Sequence, residues 1–133
     1  MENHPFRIAV ETHNSLESVA HLLDPDIIFF SPLAITPIVG RDLVLNVLQN
    51  VLPVIKNIKC IEELRQDNKT VLVWAGEIDG YPVQAVDIIT NGSDGKVKEI
   101  RLMARPFPVM KLLYEQVIER MKLIVPDAVL DLK

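Results

Sequence analysis

The dipeptide Asp79-Gly80, set between two runs of alternating apolar residues, constrains this chain more than any other feature. Asp-Gly suits the two-residue turns of β-hairpins, whose central positions need a left-handed backbone. Residues 70–78, centred on Val71-Leu72-Val73-Trp74, and residues 81–90 therefore read as paired strands. Asp67-Asn68 turns back to a strand over 57–66, and Asn91-Gly92-Ser93-Asp94-Gly95 leads on to one over 97–105. In that last run Ile100, Leu102 and Ala104 face one way, and Glu99, Arg101 and Arg105 the other. The pattern predicts a long antiparallel sheet, curved and covered on one side.

Asp87 interrupts this apolar order. With a period of two it shares a face with Tyr81, Val83, Ala85 and Ile89. A carboxyl group held there needs a partner, a raised pKa or a cavity. Groups of this kind collect at functional sites, which makes Asp87 the candidate ligand-binding or catalytic acid. A structural carboxylate bonded to a neighbour is the alternative.

Helical signals flank the meander. Pro5 suits the first position of a short helix capped by Asn3 or His4, with Phe6, Ala9, Val10 and His13 on one side. Asn14-Ser15-Leu16-Glu17 resembles a capping box for a second helix, with Leu16, Val19, Ala20 and Leu23 as its buried stripe. Asp24-Pro25-Asp26 stops it, residues 27–30 read as a buried strand, and Ser31-Pro32 ends that strand. A third helix starts at Gly40-Arg41-Asp42, with Leu43, Val44, Val47, Leu48, Val51 and Leu52 as its stripe, and Pro53 marks its end or a kink. After Pro106 and Pro108, the spacing of Met110, Leu113, Tyr114, Val117, Ile118 and Met121 predicts a last amphipathic helix. One domain over residues 1–125 is expected, followed by a loosely held tail over 126–133.

Charge and composition exclude several classes. A net charge of -4 with scattered basic residues argues against nucleic acid binding. The single cysteine, Cys60, allows no internal disulfide and no cysteine-based zinc site, and reads as a small buried hydrophobe. No secretory leader is visible, and no apolar stretch reaches the ~18 residues of a membrane span. A cytoplasmic protein without membrane contact is the default expectation. His13 and His21 lie across a predicted helix break, so neither a metal nor a cofactor is expected.

Three segments carry a family resemblance: residues 23–32 (LDPDIIFFSP), residues 37–41 (PIVGR) and residues 86–97 (VDIITNGSDGKV). Together they resemble the nuclear-transport-factor-2-like superfamily, which includes ketosteroid isomerases and polyketide-cyclase-like proteins. The resemblance implies an α+β fold: a cone-like curved antiparallel sheet packed on three N-terminal helices, plus a C-terminal helix. It also implies an apolar pocket in the cone and a homodimer formed through the outer sheet face, with Trp74 and the Val71/Val73 face taking part. Asp87 matches the isomerases' protonated oxyanion-binding acid, a case known for a carboxylic acid kept neutral by its apolar site. Ser31 matches the position of their general base, which a hydroxyl cannot replace unaided. Their oxyanion tyrosine has no counterpart near His13 or Leu16. Steroid isomerisation is therefore not expected.

The expected pocket comprises Ser31, Ile58, Glu62, Ala85, Asp87, Ile89, Ile100, Leu102 and Ala104. Glu62, alternating with Ile58, Cys60 and Leu64, could pair with Asp87, although a solvated strand end is the plainer reading. Trp74, in phase with Leu72 and Ile78, suits the core or a dimer interface better than a ligand wall. Arg105 could pair with Asp42 or Glu99. The leading functional reading is a domain binding an unknown small apolar molecule. The alternatives are an isomerase-, cyclase- or dehydratase-like enzyme using Asp87 as acid, and a dimerisation module with a filled cavity.

Overall fold

The computed structural model describes residues 2–12 and 20–130. In chain order the elements are α1 (Pro5–Glu11), β1 (Leu23–Phe30), β2 (Ile38–Val39), α2 (Arg41–Val51), β3 (Lys56–Gln66), β4 (Lys69–Ile78), β5 (Tyr81–Asn91), β6 (Val97–Arg105) and α3 (Phe107–Ile124). The six strands form one curved, open sheet in the order β2-β1-β6-β5-β4-β3. Neighbours are antiparallel except β1 and β6, which run parallel. That single parallel pair brings the N-terminal strand against the end of the meander.

The turn chemistry acts as its residues dictate. Asp79 and Gly80 have φ of 52° and 81°, and Ile78 pairs with Tyr81 across the turn. Two left-handed residues match the twist of the strands they join, and Gly80 adopts its φ without a Cβ penalty. Alternation then sends Leu72, Trp74, Val83, Asp87, Ile89 and Ile100 to the inner face, all of them buried. Helix α2 lies against β1 and α3, and α3 also meets β4, β5 and β6. Val44, Val47, Leu113, Val117 and Met121 bury the helical side of the core.

Several expectations need correction. Leu23 is not the last turn of a helix; it opens β1 and pairs with Val97. The helix proposed from the capping box at residues 14–17, with Leu16 and Val19, lies outside the described residues. In α2 the buried set is Val44, Leu45, Val47 and Leu48, while Leu43 points outward. Residues 126–128, expected in a loose tail, form a 3-10 turn. Ala128 is buried, and its carbonyl accepts a bond from Ile35 N at 2.7 Å. Arg105 bonds to Gln84 Oε1 at 2.9 Å, and Glu99 pairs with Arg101 instead.

Helix α1 is fastened to the sheet edge by polar contacts. His4 Nδ1 accepts from Phe6 N at 3.1 Å, capping the helix and leaving Nε2–H to donate to Asn91 Oδ1 at 3.2 Å. Burial lowers the pKa of His4, in keeping with a neutral ring. The Glu63 carboxylate accepts from His4 N at 3.1 Å and from Arg7 Nη1 at 3.2 Å. Glu11 accepts from Arg7 Nε at 2.8 Å and from Cys60 N at 3.1 Å. Cys60 lies on the edge strand, where an uncovered N–H would invite pairing with another chain. Among the described residues no helix is long and apolar enough to cross a membrane.

Candidate functional site

The register places Trp74 opposite Ala85 and Leu72 opposite Asp87, so Trp74 and Asp87 are diagonal neighbours on the inner face. Ala85 is small enough to leave the indole room to reach across. Trp74 Nε1 donates to Asp87 Oδ2 at 2.9 Å, and both side chains are buried. Burial raises the acid from its ordinary 3.8 to about 7, and the indole hydrogen bond pulls the other way. Near neutral pH Asp87 is therefore divided between carboxylic acid and carboxylate.

The space inside the cone has two lobes with a common wall of Phe29, Leu48, Leu52, Ile55, Ile58, Trp74, Ala85 and Leu102. The inner lobe, about 50 Å³, reaches Asp87 and Ile100 and is closed by Phe6 and Val10 of α1. The outer lobe, about 60 Å³, reaches Ser31, Gly76, Ala104, and Met110 and Leu113 of α3. Among the described residues lining either lobe, Asp87 is the one ionisable side chain.

Of the expected pocket residues, Ser31, Ile58, Ala85, Leu102 and Ala104 line the outer lobe, and Asp87 and Ile100 the inner. Ile89 is wholly buried and lines neither. Glu62 is a correction: it is exposed on the outer face, opposite Val73. A β-bulge between Cys60 and Glu62 inserts Ile61 and reverses the alternation, so Leu64 also points out and Glu63 turns inward. Glu63 serves α1, not the cavity. Ser31 Oγ accepts from Leu33 N at 3.1 Å, which ties the oxygen to the turn ending β1 while its O–H can still donate. His21 is exposed and His13 lies outside the described residues. No group of three or more potential metal-ligating side chains occurs among the described residues.

Sequence reasoning underrated Trp74, which forms a wall of both lobes and does not lie on the outer face. Its phase with Leu72, together with the small Ala85 across the hairpin, was the available signal. Phe6 and Val10 were also missed, because helix periodicity identifies a buried face without telling what it buries. For the stripe of the last helix, which includes Met110, packing on the sheet was the plainer reading and a lid over a pocket the sharper one.

No family model matches the sequence, and no curated protein does. Solved structures do. A steroid delta-isomerase from Pseudomonas aeruginosa is 24% identical with a TM-score of 0.81, covering 91% of this chain and 89% of its own. An uncharacterised bacterial protein with a cystatin-like fold from Silicibacter pomeroyi is 21% identical with a TM-score of 0.81, covering 87% and 82%. A protein assigned to the SnoaL-like polyketide cyclases, from Shewanella denitrificans, is 12% identical with a TM-score of 0.62, covering 86% and 92%. The chain has the nuclear-transport-factor-2-like fold. At these identities the likeness fixes the architecture and not the chemistry.

Proposed function

We propose that the chain binds a small apolar molecule bearing a hydrogen-bond-accepting oxygen, with Asp87 as its polar anchor. The observation that carries this reading is the Trp74–Asp87 bond inside an otherwise apolar cavity. With Oδ2 engaged by the indole, a protonated Asp87 has Oδ1–H to give to a carbonyl or hydroxyl oxygen. A buried donor left without a ligand is costly, so the anchor confers selectivity against oxygen-free hydrocarbons.

An enzymatic reading is favoured by one observation, the Asp87 pKa of about 7, which suits a general acid near neutral pH. A proton-shuttling reaction needs a second group, and the Ser31 hydroxyl cannot act unaided as a general base near neutral pH. Binding without turnover is the reading we prefer. On the outer sheet face Val73, Val86 and Met103 lie side by side across β4, β5 and β6, which supports pairing with a second copy there.

Methyl heptyl ketone is a suitable probe, being slender, neutral and an acceptor only. Titration should change the fluorescence of Trp74, the one tryptophan of the chain, in a saturable way. Asp87→Leu should remove binding while leaving the fold intact. Unaltered binding by that variant would refute the role given to Asp87.

A further inference from the structure

The cone has two ends, and they are closed differently. At the Asp87 end, Phe6 and Val10 of α1 cover the inner lobe, and α1 is fixed by the hydrogen bonds of His4, Arg7 and Glu11 to Asn91, Glu63 and Cys60. At the other end Pro32, Leu33 and Met110 line the outer lobe, and the same three residues line a surface groove of about 470 Å³. They are thus a wall with the cavity on one side and the groove on the other. Leu33 is buried and Met110 half-buried.

The groove is mixed in character: Lys111 and Glu115 line it together with a set of exposed apolar side chains. Ile35 is 60% exposed and Phe107 74%, and both line it. Exposed apolar residues gathered at a concavity mark a place where apolar matter comes and goes. Met110 sits in the first turns of α3. Its unbranched side chain has three rotatable bonds and can swing aside without moving the backbone. Among the described residues, those of α1 that cover the inner lobe are less flexible: Phe6 is a rigid ring and Val10 is β-branched.

We infer that this groove is the way into the cone and that Met110 is its gate, passing slender apolar molecules such as aliphatic ketones and stopping wide rigid ones. The use of the route by a ligand rests on the binding role proposed above; the route itself does not. The lobes on either side of Trp74 hold about 60 and 50 Å³, so a longer aliphatic ligand leaves its tail against Phe107 and Ile35.

The route is testable without a ligand, because Trp74 is buried behind the gate and is the chain's one tryptophan. Acrylamide, a small neutral quencher, must enter the cone to reach the indole. Met110→Ala should raise the acrylamide quenching constant severalfold, and Met110→Phe should lower it. Val10→Ala, which enlarges the inner lobe beneath a helix that stays fixed, should leave it near the parent value. The inference is overturned if Met110→Ala quenches like the parent, or if Val10→Ala raises quenching as much. Should Met110→Ala fold poorly, Met110→Phe and Val10→Ala still decide between the two ends. A gate confirmed in a protein that ignores methyl heptyl ketone would uphold the route and refute the binding role; ketone binding with unchanged quenching would do the reverse.

Discussion

The indole nitrogen of Trp74 stands 2.9 Å from Oδ2 of Asp87, so the chain's one tryptophan is bonded to the acid at the centre of the cone. Ionisation of Asp87 strengthens that bond and changes the field at the ring. Trp74 emission should therefore titrate with a midpoint near 7, the pKa to which burial lifts Asp87. In Asp87→Asn the step should vanish. A parent emission flat between pH 5 and 9 would contradict the assignment.

Stability should follow the same proton. Between the ordinary 3.8 and about 7 the folded state holds a proton that the unfolded chain has lost. The contribution of protonated Asp87 is thus full below about 3.8, declines as pH rises and is gone above about 7. Its size is on the order of 4 kcal/mol, at about 1.4 kcal/mol per pH unit. His4 acts in the opposite sense. Its pKa is lowered from 6.5, so its contribution is full above that value and is lost as pH falls through its folded-state pKa. Denaturant unfolding of the parent and Asp87→Asn separates the two, since His4 is common to both. The variant should gain on the parent as pH rises from 4 to 8.

His4 can be tested alone. His4→Ala removes the cap on Phe6 N and the bond to Asn91, and should cost about 1–2 kcal/mol by chemical denaturation. Because α1 covers the inner lobe, the same variant should weaken ketone binding more than a surface control such as Glu119→Ala, which lines neither lobe nor the surface groove described above.

Gly76 is required by a close approach, not by a left-handed backbone. A Cβ there would lie 2.8 Å from Ile55 Cγ2 and 3.2 Å from the Lys56 carbonyl oxygen. Gly76→Ala must push Ile55 toward the outer lobe, which both residues line. A loss of about 1–3 kcal/mol is expected from overpacking, together with reduced ketone affinity. Unchanged melting behaviour would show that Ile55 yields freely.

Pairing through the outer face predicts that Val86→Lys, placed between Val73 and Met103, gives a monomer by sedimentation with the fold retained. A parent that sediments as a monomer would remove this proposal and leave the cavity untouched.

Much of this architecture was legible in the residues. Asp79-Gly80 identified its hairpin, and alternation turned Asp87, Ile100, Leu102 and Ala104 inward. The bulge at Ile61 was not legible, because a slipped residue leaves no mark in residue type. Glu62 and Leu64 were accordingly assigned to the wrong face. The β1–β6 pairing joins segments some 70 residues apart, and alternation within each strand says nothing about its partner. The bond between Trp74 and Asp87 likewise needed the register of the β4–β5 hairpin; each residue alone looked like core or like an isolated acid.

The central claim is that protonated Asp87 donates to a ligand oxygen inside the cone. Its most direct test is the affinity of methyl heptyl ketone as a function of pH, read by Trp74 fluorescence. The ketone does not titrate, so affinity should be constant at low pH and fall progressively above about 7 as Asp87 loses its proton. In Asp87→Asn, which keeps an N–H donor, the fall should disappear. A saturable affinity independent of pH in the parent would contradict the claim.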